Sequence, residues 1–211
     1  MSADYEKKTF VLKGIGVSPG IVIGKAYCFD PLDFQLSFYK LSDPSLIPNE
    51  IQRFKNALKE SERQLLEIQD NLRKTKVNEA LYVIDVHVLI LKDKKFISRT
   101  IKYIQRLGIN AEWAVRMMLD RYKKIFEGVE DAYIRGRISD IQHVSQRILR
   151  NLAGKKRETI WEIGDGVIVI AQDLSPADTA QLKIEKVLGF ATDIGGRTSH
   201  TAIVARSMEI P

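Results

Sequence analysis

The residues best suited to chemistry lie together near the C-terminal end, in the run Gly195-Gly196-Arg197-Thr198-Ser199-His200-Thr201. A glycine pair, then hydroxyl residues, then Ala202-Ile203-Val204-Ala205 describes a turn feeding a helix, with Thr198 or Ser199 as its N-cap. His200 then stands in the first helical turn, where backbone N–H groups lack partners and the helix field favours an anion. That field disfavours imidazolium, so it keeps the ring neutral and nucleophilic while donors stand ready for a phosphoryl group. Either feature alone is common in α/β loops. Together they describe a phosphohistidine site, with Gly196, Thr198, Ser199 and Thr201 supporting the transferred group.

Two arginines flank the histidine, and a guanidinium fork suits phosphate. Arg206 falls six residues after His200, so a regular helix does not aim both at one point. Arg197 is therefore the expected phosphoryl or substrate contact, and Arg206 is open between a structural and a functional role. Asp173, just before the helix that Pro176 opens, is equally open between a cap and a site residue.

The chain has 211 residues, 45% of them hydrophobic, enough for one large core or two modest ones. The formal charge of +6 is spread among interleaved acids and bases, as in Glu60-Ser61-Glu62-Arg63, which argues against a nucleic-acid partner. No apolar run approaches a membrane span and no leader pattern precedes a cleavage site, so a soluble, cytoplasmic protein is expected. A single cysteine, Cys28, excludes an internal disulfide and a cysteine-based metal cluster; its neighbours Ala26, Tyr27 and Phe29 imply a buried, inert thiol.

The elements that must position these residues follow from periodicity. Phe10 to Phe29, broken by four glycines, reads as two strands joined at Ser18-Pro19-Gly20. Prolines 31, 44 and 48 mark a linker, after which Ile51, Phe54, Leu58, Leu65, Ile68 and Leu72 form one helical face. Further helices are expected over 79–91, over 94–107 with Gly108 as C-cap, from Asn110 to Gly128, and over 132–152. Short connections make this an antiparallel bundle, with Trp113, Met117 and Met118 in its core. After Lys155-Lys156-Arg157, strands return at 167–171 and 187–192 around a short helix at Ser175-Pro176. The simplest assembly is an α/β domain over 1–30 and 155–211 into which a helical bundle, 45–154, is inserted.

The stretch from Gly195 through Ser207-Met208-Glu209-Ile210-Pro211 resembles the phosphohistidine signature of the phosphoenolpyruvate-utilising enzymes, which include enzyme I of the sugar phosphotransferase system, pyruvate phosphate dikinase and phosphoenolpyruvate synthase. The runs 14–26, 131–141 and 171–182 are similar to enzyme I in particular, so the resemblance covers nearly the whole chain. It implies a swivelling phosphohistidine domain with an inserted carrier-binding bundle. It also implies phosphoryl transfer from phosphoenolpyruvate onto His200 and on to a histidine of an HPr-like carrier protein. Ser175 matches a position usually held by threonine, whose hydroxyl contacts the catalytic imidazole. The other family members place an ATP-grasp domain before the histidine domain; an alternative swivelling domain of that kind, or a non-catalytic regulatory module, is disfavoured by the inserted bundle and the intact His200.

Two departures stand out. Enzyme I continues past the position of Pro211 into a barrel that binds phosphoenolpyruvate and magnesium and through which it dimerises; this chain stops there, so no cofactor or metal site is expected in it, and it is expected to exchange phosphoryl groups only with the carrier. In the bundle, Asp85 to Phe96 places Lys92, Lys94 and Lys95 where the family has acids facing a basic carrier. Either the carrier presents an acidic docking face or these lysines form a solvated rim. His87 matches a bundle position that borders the carrier surface or packs inside; His143 is read as a helix-surface residue. Neither has a Cys or His at metal-ligand spacing.

Overall fold

The computed structural model describes residues 9–29, 36–75, 78–154, 166–179, 186–197, 199–207 and 209–211. In chain order these form β1 (Lys25–Phe29), a single 3-10 turn (Pro44–Leu46), α1 (Ile47–Thr75), α2 (Asn78–Leu91), α3 (Lys94–Leu107), α4 (Ala111–Glu127), α5 (Ala132–Gly136), α6 (Ile138–Leu152), β2 (Val167–Ala171), α7 (Pro176–Thr179), β3 (Val187–Thr192) and α8 (His200–Ser207).

The bundle follows from the helical pattern. On α1, Phe54, Leu58, Leu65, Ile68 and Leu72 are buried as the spacing predicts, against Ile84 and Leu91 of α2, Phe96 and Ile104 of α3, Ala114, Val115 and Met118 of α4, and Val144 and Ile148 of α6. Pro48 sits in the first turn of α1. Gly108 closes α3 in the left-handed conformation, φ 58°, donating its N–H to the Ile104 carbonyl. Asn110 caps α4, its Oδ1 accepting from the Trp113 amide at 3.3 Å. Its Nδ2 donates to the Ser37 carbonyl and to Glu112, pinning the segment before α1 onto the bundle. At the same end Arg53 donates to Glu50, to Glu112 and to the Leu152 carbonyl, so three helices share one guanidinium.

The single helix expected over 132–152 is two. Gly136 lowers the helix preference there, and the chain restarts at Arg137, whose φ/ψ of −68°/−8° is the flattened turn before α6.

The three strands lie in the order β1-β2-β3, all parallel. The bundle is thus spliced between β1 and β2. The expected domain limits at residues 30 and 155, and the basic link after Gly154, lie outside the described residues. Phe29, Val167, Val169, Ala171, Leu174, Val187 and Ile210 form the core of this part. Pro211 packs along β3, its carbonyl accepting from the Phe190 amide. A Cβ on Gly189 would stand 2.8 Å from Val22 and 3.0 Å from that same carbonyl.

Two sequence expectations fail here. Only the second of the two N-terminal strands forms: among the described residues no strand lies beside 9–24, and Val11 and Leu12 are 88% and 91% exposed. Four glycines in that run leave it little strand preference of its own. Cys28 is exposed, not buried. Strand alternation puts it on the face opposite Phe29, which neighbouring apolar residues in sequence do not reveal.

Candidate functional site

The C-terminal ends of β2 and β3 stop side by side, and their exits stay joined. The Asp193 amide donates to the Ala171 carbonyl at 3.2 Å and the Ile194 amide to the Gln172 carbonyl at 3.0 Å. Beyond this edge, where parallel sheets place ligands, the chain turns at Gly195 with φ 143°, a conformation that favours glycine. The Ser199 amide then donates to the Gly196 carbonyl at 2.9 Å, and the first helical bond runs from the Ile203 amide to the Ser199 carbonyl at 3.0 Å.

Ser199 is the N-cap of α8: its Oγ accepts from the Ala202 amide at 3.2 Å. His200 is consequently the first helical residue, as the glycine-hydroxyl pattern predicts. By helix geometry the amides of His200 and Thr201 are the ones left without intrahelical partners. Thr198 and the His200 side chain lie outside the described residues.

The structure sorts the remaining candidates. Thr201 is buried, and its hydroxyl donates to the Leu174 carbonyl at 3.1 Å, tying α8 to the loop after β2. Ser175 caps α7. Its amide and hydroxyl both donate to Asp178, and its Oγ accepts from the Asp178 amide. Arg206 has a structural role, donating to the carbonyls of Val17 and Arg197. Arg197 is exposed beside the cap, with its backbone held by that bond. Gly196 supplies the turn carbonyl.

In the bundle, Lys92, Lys94 and Lys95 are exposed at the α2–α3 junction, and Lys92 pairs with Glu62 at 2.8 Å. His87 is not with them. Its side chain is 2% exposed, which removes it from any carrier surface. His87 stands 3.4 Å from Asp140, and burial is the main reason its imidazole is held below the usual range, with Asp140 pulling the other way. His143 is no helix-surface residue either: its ring centroid lies 6.0 Å from that of His87, and its Nε2 is 3.2 Å from Asp173 Oδ2. Asp173 thus accepts from the Leu174 amide through Oδ1 and links the sheet edge to α6 through Oδ2. Sequence spacing concealed this group because its members come from α2, α6 and the β2–α7 loop.

Residues 13–137 match the family described as PEP-utilising enzyme, N-terminal, and residues 163–211 match PEP-utilising enzyme, mobile domain. The chain is 38% identical over 200 residues to a phosphoenolpyruvate-protein phosphotransferase of Bacillus subtilis, and 35% identical over 201 residues to one of Buchnera aphidicola. Each alignment covers 95% of this chain but 35% of the relative, so the chain spans about a third of their length. A solution structure of enzyme I superposes with a TM-score of 0.79 at 37% identity, covering 95% of this chain and 81% of that one. The N-terminal domain of a nitrogen enzyme I shares the fold, with a TM-score of 0.64 at 23% identity. Among the described residues no helix is long and apolar enough to cross a membrane. With a helical bundle spliced into a parallel sheet, and a capped helix opening on His200 at that sheet's edge, the chain belongs to the phosphoenolpyruvate-utilising enzymes and is built as the N-terminal part of an enzyme I.

Proposed function

We propose that this chain carries the phosphoryl-relay half of a phosphoenolpyruvate-protein phosphotransferase, with His200 as the residue that is phosphorylated. The observation that supports it is the start of α8: a Ser199-capped helix whose first amides, without intrahelical partners by helix geometry, open beside His200 at the C-terminal edge of a parallel sheet. A neutral imidazole nitrogen uses its lone pair to form the N–P bond as the donor's bond to phosphorus breaks. From phosphoenolpyruvate that is a P–O bond, and the departing enolate takes a proton to become pyruvate. From a phosphorylated carrier it is an N–P bond, and the pair returns to the carrier's ring nitrogen. The helix-start amides and Arg197 stabilise the negative oxygens of the moving group. The phosphoenolpyruvate donor, its magnesium and the dimer contacts belong to the two thirds of the relatives' length that this chain does not span.

The acceptor is an HPr-like carrier docking on the bundle near the α2–α3 junction. Lys94 and Lys95 occupy the first turn of α3, where the helix field disfavours cations, and both point into solvent, so local stability gives no reason for them. They fit a carrier with an acidic docking face.

The test is incubation with phosphorylated carrier, followed by mapping of an acid-labile, base-stable phosphoryl group. Native chain is expected to take label on His200, and His200→Ala none; label persisting on the alanine variant overturns the assignment. Carriers with acidic and basic docking faces, compared across ionic strength, decide the surface. A rate independent of carrier charge removes the acidic-face reading.

A further inference from the structure

We propose that His87, Asp140 and His143 form a binding site for a divalent cation of the zinc class, at the seam where α2 and α6 meet the loop after β2. One donor atom from each residue lies within 4.8 Å of the other two. Two imidazoles and a carboxylate are a three-ligand set suited to zinc, which leaves a further position for water. Imidazole nitrogen also selects against magnesium and calcium, which prefer oxygen alone.

The group is buried, and two of its imidazole nitrogens stand close to the place a cation would take. The side chains of His87 and Asp140 are each 2% exposed. Among the described residues, neither His87 Nε2 nor His143 Nδ1 makes a hydrogen bond. His87 Nε2 stands 3.4 Å from Asp140 Oδ1, and the attraction between them opposes the effect of burial on His87. Buried nitrogen acceptors are costly unless something occupies their lone pairs, and a cation between them would do so.

The outer residues set the ligands for this role. His143 Nε2 faces Asp173 Oδ2 at 3.2 Å, so the proton belongs on Nε2 and the lone pair on Nδ1; a carboxylate behind a metal-binding histidine has this effect. Burial keeps His87 neutral, the form that binds metal. Arg137 stands 3.5 Å from the other oxygen of Asp140, and Arg147 adds positive charge near His87. Two carboxylates, Asp140 and Asp173, balance these two guanidiniums, so a cation enters a site of near-zero formal charge. With metal–ligand bonds of about 2.0–2.2 Å, the trio needs to close by roughly 1 Å, within reach of side-chain adjustment on α2 and α6.

Occupancy would cross-link α2 to α6 and, through Asp173, steady the loop that carries Ser175 and receives the Thr201 hydroxyl. The site stands independently of phosphorylation at His200.

The test titrates zinc alone into the full 211-residue chain against a chromophoric chelator, with cobalt as a spectroscopic probe. The expected result is one tight equivalent, a tetrahedral cobalt band and a higher melting temperature with zinc. His87→Ala opens a cavity in the bundle, so the deciding variants are milder. His143→Gln keeps the size and a donor toward Asp173, and is expected to bind zinc at least about 100-fold more weakly and lose the band; Asp173→Asn should weaken binding about tenfold. Absence of a tight equivalent in the native chain, or an affinity and cobalt band that survive in folded His143→Gln, overturns the site.

Discussion

In the bundle, Phe54, Leu65, Ile84, Ile104, Met118 and Ile148 are sealed from solvent on five different helices, and no one of them fixes the architecture. Around the sheet edge, among the described residues, the buried set is shorter, and the geometry at α8 rests on particular hydrogen bonds: Ser199 at its cap, Thr201 to Leu174, Arg206 to Val17 and Arg197. One region is held by area and the other by direction. The difference teaches where each is vulnerable: the bundle to lost volume, the sheet edge to single lost polar partners.

The largest effect is therefore expected from Phe54→Ala. Phe54 is fully buried, and removing its ring leaves a cavity among packed helices, which costs about 3–5 kcal/mol by urea or thermal unfolding. Phosphoryl uptake by the variant, measured well below its melting temperature, is expected to match the native chain. A loss under about 1 kcal/mol would mean that the bundle repacks, against the volume argument.

Thr201→Val is the corresponding change at the sheet edge. It keeps shape and burial but removes the donor to the Leu174 carbonyl, leaving a buried acceptor without this partner, at a cost of about 1–3 kcal/mol. Because that bond joins α8 to the β2–α7 loop, uptake is expected to fall as well as stability. An uptake rate equal to native would show that α8 is placed by apolar packing, and would erase the distinction between the two regions.

The same contrast governs what could be read without coordinates. Helical periodicity along 51–72 and the caps at Gly108 and Asn110 are local, and each sits where the sequence places it. The capped turn before His200 is likewise encoded within a few consecutive residues. His143 reads as a surface residue and Asp173 stays open because their neighbours are set by how α2, α6 and the β2 exit pack, which no spacing encodes; of the two readings of His87, the packed one holds. For Thr201 and Ser175, residue type shows a hydroxyl but not the carbonyl or carboxylate that it bonds. Cys28 failed on alternation: its neighbours are apolar, but the face it occupies is not covered.

The smallest stability effect separates placement from strength. Ser199 and Asn110 are both N-caps, but Asn110 also bonds the Ser37 carbonyl and Glu112 within the bundle, whereas the described side-chain bond of Ser199 is the one to the Ala202 amide. Ser199→Ala should thus cost about 1 kcal/mol, the ordinary value of a cap. Its effect on phosphoryl uptake is expected to be larger than that figure implies, because α8 would fray at the turn that presents His200 and its amides. Ser199→Asp restores a cap for the helix but brings a carboxylate against the incoming phosphoryl group. It is therefore expected to recover stability without recovering uptake. Uptake recovering in step with stability would mean that no negative group passes this helix start, and the site would have to be sought elsewhere on the sheet edge.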